Sequence, residues 1–277
     1  MKKYQIIVDS SADLPENYLK DTDICFSVAP LTIHIGDKEF VDVDSTNPSD
    51  MLKAFKEYSG KTSTSCPAPV TFADKFDNAE YTFIITISSQ LSGSFNAANV
   101  AASCNKHKKV HVIDSKKTSG AMQLLTDKLV ELINNGLEYE EIVKQIDEYN
   151  QTLELYFILQ TFDNLVRNGR MGRFAGFIAK HLSIKAVCSA SKEGTIIVGE
   201  KALGATNAYR KMVEDMKKKV VDAEHKKCII THCNNEKDAM LIKTMISNNF
   251  NFKEIEVHPM HCLTSYYAMD KGLIINF

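Results

Sequence analysis

Residues Thr82 to Phe95 read TFIITISSQLSGSF, and Asn96-Ala-Ala-Asn-Val-Ala-Ala102 follows directly. Thr82 to Ile87 is a run of β-branched and aromatic residues, the composition of a buried strand, whereas small apolar residues recur at helical spacing after Asn96. The stretch therefore predicts strand, turn, helix, with the turn at Ser88 to Ser94. The first amides of a helix lack intrahelical partners and lie at the positive end of its dipole, so this turn suits a small anion. Ser92 or Ser94 offers a hydroxyl, and Gly93 lets the backbone approach because it carries no side chain. A serine that only caps the helix reads the same in sequence.

Working outward, two more apolar strands close in the same way. Tyr4 to Val8 runs into Asp9-Ser-Ser-Ala-Asp-Leu-Pro15, and Val110 to Asp114 ends at Asp114-Ser115. Three strands with polar carboxyl ends predict a parallel sheet with its polar groups gathered on one edge. Between the first two, Ile24 to Ile35 reads as two short strands broken at Pro30, with Gly36-Asp37 turning into Lys38 to Val43. Pro48 to Tyr58 reads as a helix capped by Asn47 or Ser49. The run Lys61-Thr-Ser-Thr-Ser-Cys-Pro-Ala-Pro69 predicts a loop, since its prolines exclude a helix interior, and it sets Thr64 and Ser65 near Ser92. Ala121 to Ile133 is strongly amphipathic and stops at Gly136, and Leu137 to Tyr149 adds a second helix.

From Glu154 the rhythm changes. Leu155 to Thr161 reads as a strand, and the basic loop Asn168-Gly-Arg-Met-Gly172, with Gly176 beyond it, lacks the spacing of a dinucleotide-binding loop. Ser183 to Ala190 and Thr195 to Gly199 pair as a hairpin across Ser191 to Gly194. Helices near 205–221 and 236–248 then alternate with strands near 227–232 and 252–257. The expected fold is an α/β chain of two domains. Residues 1–152 form an open, mostly parallel sheet flanked by helices, and residues 153–277 form a mixed-sheet α/β domain.

Composition narrows the function classes. The chain has 277 residues with 33 basic and 35 acidic side chains, a formal net charge of -2. That balance, with no dense basic face, gives no reason to expect nucleic acid as a partner. No apolar run approaches the ~18 residues of a membrane span. The amino-terminal MKKYQIIVDSS lacks the apolar core of a secretory signal, so a cytoplasmic location is expected. The cysteines at 25, 66, 104, 188, 228, 233 and 262 are odd in number and dispersed, which suits reduced thiols. Cys228, His232, Cys233, His258 and His261 lack metal-ligand spacing, and no metal or cofactor is expected.

Several of these motifs together resemble the DegV family of bacterial lipid-binding proteins, which includes the fatty-acid-binding subunits of fatty acid kinase. They are Asp9 to Pro15, Ala29-Pro-Leu-Thr-Ile-His-Ile-Gly36, Thr64-Ser65 with Pro67, Ser88 to Ser94, Val112-Ile-Asp-Ser115 and Asn168 to Gly172, in the family's order. The resemblance implies a long-chain fatty acid buried between the two domains. It places the carboxylate on Thr64 and Ser92, with Ser65 and the Gly93 and Ser94 amides nearby and His261 in the outer head-group network. It also implies delivery to a dihydroxyacetone-kinase-like fatty acid kinase. The sequence departs from the family pattern where Lys-x-Arg reads Lys201-Ala-Leu203, and where His-Thr-Gly-Pro-Gly reads His261-Cys-Leu-Thr-Ser265.

The expected function is non-catalytic carriage of a long-chain fatty acid. Two alternatives carry their own requirements. An acyl-ester hydrolase with Ser92 as nucleophile and His261 as base needs a Ser-His contact, and the chain lacks the G-x-S-x-G elbow. A regulatory binder of another small anion needs only the turn.

Overall fold

A computed structural model describes residues 2–76, 79–105, 109–171 and 184–277. The glycines predicted in the basic loop at 172 and 176, and Ser183 at the start of the predicted hairpin, lie outside these residues.

The first unit is built on β1 (Tyr4–Asp9), β2 (Cys25–Ala29), β6 (Tyr81–Thr86) and β7 (Lys109–Asp114), which pair in the order β2-β1-β6-β7, all parallel. A parallel sheet covered on both faces needs strands that are apolar throughout, and all six residues of β1 are buried. Helices α2 (Pro69–Ala73) and α3 (Ser94–Cys104) cover one face, with Phe72, Ala97, Ala98 and Ala101 packed on Ile7 and Ile84. On the other face, α4 (Gly120–Asn134) and α5 (Tyr139–Thr152) pack Leu125, Leu129, Ile142 and Ile146 against Ile6, Val8 and Phe83.

The second unit is a six-stranded mixed sheet in the order β10-β9-β8-β13-β11-β12. Its strands are β8 (Leu155–Ile158), followed by the short helix α6 (Asp163–Arg167), then β9 (Ile184–Ala190), β10 (Ile196–Leu203), β11 (Lys227–His232), β12 (Glu254–Pro259) and β13 (Leu273–Asn276). Only β11 and β12 run parallel. Helices α7 (Ala205–Met216) and α8 (Glu236–Ser247) cover one face through Tyr209, Met212 and Ile242.

The segment from β3 (Thr32–Ile35) through β4 (Lys38–Val41), α1 (Pro48–Glu57) and β5 (Thr62–Ser65) forms a separate three-stranded antiparallel sheet with a helix. Its Leu31, Ile33, Ile35, Met51 and Leu52 share one core with Leu155, Phe157, Leu263 and Tyr266, on β8 and on α9 (Cys262–Ala268). Residues 31–54 thus bury their apolar side against the second unit rather than against the sheet that precedes them. The hydroxyl run expected as a loop is therefore a strand, β5, held by β3 in the register Ile33 opposite Thr64. Alternation places Thr62 and Thr64 on one face and Ser63 and Ser65 on the other.

Candidate functional site

The carboxyl ends of the parallel strands gather the polar groups of the first unit. The Asp9 carboxylate at the end of β1 accepts the Ile87 amide at 2.9 Å and the Ser11 hydroxyl at 2.5 Å. At the end of β7, the Asp114 carboxylate accepts the amide and hydroxyl of Ser89 at 3.1 and 2.5 Å. These carboxylates pin the Ser88 to Ser94 turn from both sides. Burial pushes Asp9 up to about 6, against the pull of its bond from Ser11. Within the turn, Ser92 Oγ lies 3.0 Å from Ser94 Oγ and accepts the Ser94 amide at 3.3 Å, so Ser94 is committed to the helix start and is itself buried.

Where this turn faces β5, the two segments touch. A Cβ at Gly93 would stand 3.0 Å from Cys66 Sγ, so the absence of a side chain sets the closeness of approach. Beyond the contact opens a cavity of about 330 Å³. Thr64, Ser65 and Cys66 line it from one segment and Ser92 and Gly93 from the other. Its walls come from both units and are mostly apolar: Leu31 and Leu91, then Leu155, Phe157, Leu159 and Ile196.

Three cationic side chains also line the cavity, Lys116, Lys117 and Arg170. Arg170 donates from Nε to the Leu91 carbonyl at 3.2 Å, which ties the second unit to the Ser92 turn, and its guanidinium stands 6.0 Å from the centre of the Tyr267 ring. Lys117 is buried, and burial lowers its amine to about 8. Tyr267 lines the cavity as well, with its hydroxyl 2.7 Å from Thr64 Oγ1. An anionic head between Thr64 and Ser92 would find hydroxyl donors and a nearby guanidinium, while its apolar remainder would lie against leucine and phenylalanine. Desolvating a carboxylate is tolerable only with such partners.

Of the residues singled out in the sequence, Thr64, Ser65, Ser92 and Gly93 come together on this cavity. Ser94 stands behind Ser92, and His261 stands elsewhere. His261 is the residue before α9, and its amide donates to Asp13 Oδ1 at 2.9 Å. The adjacent Cys262 amide donates to Asp42 Oδ1 at 2.8 Å. Burial raises both carboxyls, Asp13 to about 6 and Asp42 to about 7, opposed by bonds from Ser119 and Ser10 respectively. Among the described residues Ser92 Oγ has a serine as its side-chain partner and no histidine, so the contact required for hydrolysis is not formed. Tyr267 and Lys117 were not singled out from the sequence, and Arg170 entered only as part of the basic motif Asn168 to Gly172. Lys117 sits in the loop after the third polar-ended strand, where the strand-end rule already pointed. Tyr267 carried no signal beyond being one of two adjacent tyrosines.

No helix among the described residues is long and apolar enough to cross a membrane. A family model described as an uncharacterised protein of the DegV family matches residues 3–272. A DegV domain-containing protein of Streptococcus pyogenes serotype M3 is 34% identical over 278 residues, covering 99% of each chain. A DegV family protein from Ruminococcus gnavus, solved with vaccenic acid, superposes with a TM-score of 0.93 at 29% identity over 100% of both chains. The fatty acid kinase B3 protein of Streptococcus pneumoniae, solved with linoleic acid, superposes with a TM-score of 0.91 at 31% identity over 99% of each.

Proposed function

From the premise that the chain belongs to the DegV family, we propose that it binds and carries a long-chain fatty acid without acting on it chemically. The carrying observation is that Thr64 and Ser92, from two segments far apart in sequence, open onto one largely apolar cavity walled by both units. The carboxylate lies between these hydroxyls with the Gly93 amide beside it, Ser65 lines the cavity with its hydroxyl turned to His34 Nε2 at 3.0 Å, and the acyl chain fills the remainder. Each charged hydrogen bond contributes ~1.5–3 kcal/mol, and each buried methylene about 0.8 kcal/mol. The chain therefore supplies most of the affinity, and the head fixes orientation. The solved neighbours carrying vaccenic and linoleic acids support the ligand class. The pneumococcal neighbour solved loaded with linoleic acid, together with the missing Ser92 to histidine contact among the described residues, supports a carrier over a hydrolase.

The finer reading is that the carrier presents the carboxylate to a dihydroxyacetone-kinase-like fatty acid kinase. The name of the pneumococcal neighbour supports it. Leu203 weighs against it, standing 70% exposed where the resemblance expects an arginine. Native mass spectrometry of protein purified from cells tests the carrier reading. The expected mass is chain plus one fatty acid, and a chain that stays unliganded even after incubation with oleate ends the reading.

A further inference from the structure

We propose that Cys66 is a modification site set in the head-group pocket: a low-molecular-weight disulfide caps its thiol, and the cap and the fatty-acid carboxylate exclude one another. The ligand half of this proposal rests on the fatty-acid reading above.

Of the free cysteines among the described residues, Cys188, Cys228, Cys233 and Cys262 are buried, Cys25 is half-buried, and Cys66 and Cys104 are exposed. Burial pushes the Cys188 and Cys262 thiols up to about 12 and Cys233 to about 11, which leaves them little of the thiolate that thiol–disulfide exchange requires. The two exposed thiols stand at opposite ends of one helix. Cys104 is the last residue of α3, ~15 Å along the axis from its start at Ser94. Cys66 lies against that start, for the place a Gly93 Cβ would take is 3.0 Å from its Sγ, and Gly93 immediately precedes the helix.

Cys66 is more than an accessible thiol, because the cavity it lines points to a ligand on grounds independent of the cysteine, namely the Thr64 and Ser92 hydroxyls and the apolar walls behind them. Pro67 favours an extended Cys66, which continues the alternation of β5 and sets Cys66 on the same face as Thr64, roughly 7 Å along the strand. Thr64 is held there by Tyr267, and the Ser92 turn closes on the same place through Gly93. The sulfur therefore sits beside the carboxylate position. In the exchange, the Cys66 thiol gives its proton to solvent and its sulfur attacks one sulfur of the disulfide. A new S–S bond forms, the old one breaks, and the electron pair leaves on the released thiolate, which takes up a proton. An excess of small thiol runs the step backwards. The cap adds several heavy atoms to a sulfur that already stands against the turn, so it takes its room from the space between Thr64 and Ser92, and a fatty acid bound in that space covers the same sulfur.

The test equilibrates the lipid-free chain in buffers of 2-mercaptoethanol and its disulfide, reads the cap on each cysteine by peptide mass, and measures oleate affinity by titration calorimetry in Cys104→Ser and Cys66→Ser. In Cys104→Ser, capping Cys66 should weaken oleate binding at least about tenfold, and saturating oleate should shift the Cys66 capping equilibrium by the same factor, as linkage demands. Excess dithiothreitol should restore the affinity. In Cys66→Ser, the same buffers should cap Cys104 without changing whatever oleate affinity that variant has. Affinity within about twofold after Cys66 is capped overturns the proposal, and so does a capping equilibrium indifferent to oleate. A loss of affinity that also appears in Cys66→Ser overturns it, as does one accompanied by collapse of the circular dichroism spectrum, since the block would then not be local. If Cys66→Ser does not fold, Cys66→Ala takes its place. Oleate that fails to bind the reduced wild type ends the fatty-acid reading itself, whereas oleate that binds the reduced chain and ignores the cap ends only this inference.

Discussion

The hydroxyls of Thr64 and Tyr267 lie 2.7 Å apart, joining an edge strand to a short helix more than two hundred residues later. One strand step away, Thr62 Oγ1 and Tyr266 OH lie 2.6 Å apart, and the Asn168 side-chain amide donates to the same tyrosine oxygen at 3.1 Å. Two adjacent tyrosines thus hold alternate threonines of β5. Tyr266 is fully buried, whereas Tyr267 lines the cavity. With Tyr267 donating to Thr64, the Thr64 proton is directed at whatever occupies the head site.

Tyr267→Phe should weaken fatty-acid binding by about three- to tenfold, the effect of one modest hydrogen bond, with little change in melting temperature. Tyr266→Phe should do the reverse, lowering stability by ~1–3 kcal/mol because it strands buried groups, with affinity nearly intact. Calorimetric titration and thermal denaturation of both variants check the pair. Equal effects of the two on affinity would remove the distinction.

Replacing both head-site hydroxyls gives the larger change. Thr64→Ala together with Ser92→Ala should lower affinity for oleate at least tenfold, or about 1.4 kcal/mol. Affinity for the uncharged oleyl alcohol should fall less, since a neutral head needs less stabilisation. Displacement of a fluorescent fatty acid measures both, and an unchanged oleate affinity would dispose of the proposed head site.

The parts of this arrangement visible in the sequence are those with a period. The strand and helix either side of Ser88 to Ser94 were legible because β-branched residues give way to alanines at helical spacing. The three polar strand ends were legible because each follows an apolar run. Strand β5 was not, since Thr62-Ser-Thr-Ser65 contains no apolar residue and owes its conformation to pairing with Ile33 and its neighbours. Nor was the packing of residues 31–54 on the second unit, because an apolar stripe declares that it is buried but not against what. The motif resemblance drew attention to His261, the residue before α9, while the residue facing Thr64 lies nearly two turns further along at Tyr267. A helix of seven residues buried on most sides gives no pattern from which that rotation could be read.

The two units are also locked through a single glycine. Gly194, at the tip of the β9 to β10 hairpin, has φ +91°, its carbonyl accepts the Ser88 hydroxyl at 2.8 Å, and a Cβ there would come within 3.0 Å of the Lys116 backbone. Gly194→Ala combines an unfavourable φ with a backbone clash, each costing ~1–3 kcal/mol. A fall in melting temperature of several degrees, with weakened ligand binding because the tip lines the cavity, is the expected result. A variant as stable as wild type would show that the tip is free to withdraw.

The buried carboxyls Asp9, Asp13 and Asp42 should make the fold respond to acid in the inverse of the usual sense. Asp9 and Asp13 are pushed up to about 6 and Asp42 to about 7 from an ordinary 3.8, chiefly by burial. A carboxyl whose folded value exceeds its unfolded value binds protons preferentially in the folded state. Its contribution to stability is complete below the unfolded value and is lost as pH rises through the folded one. Between pH 4 and pH 7 these groups should therefore make the fold less stable as pH increases. Each tenfold change in acidity is worth ~1.4 kcal/mol, so Asp13 alone carries on the order of 3 kcal/mol of the dependence. Thermal denaturation across this range should show a higher midpoint near pH 5 than near pH 8. Asp42 is the member to change, because its Oδ2 is buried without a hydrogen-bond partner while Oδ1 accepts the Cys262 amide at 2.8 Å. Asp42→Asn keeps that acceptor and removes the charge, so it should flatten the slope and narrow the gap between the two midpoints. A slope of the opposite sign in wild type, or one untouched by the substitution, would mean that the strain of these buried charges is relieved elsewhere in the fold.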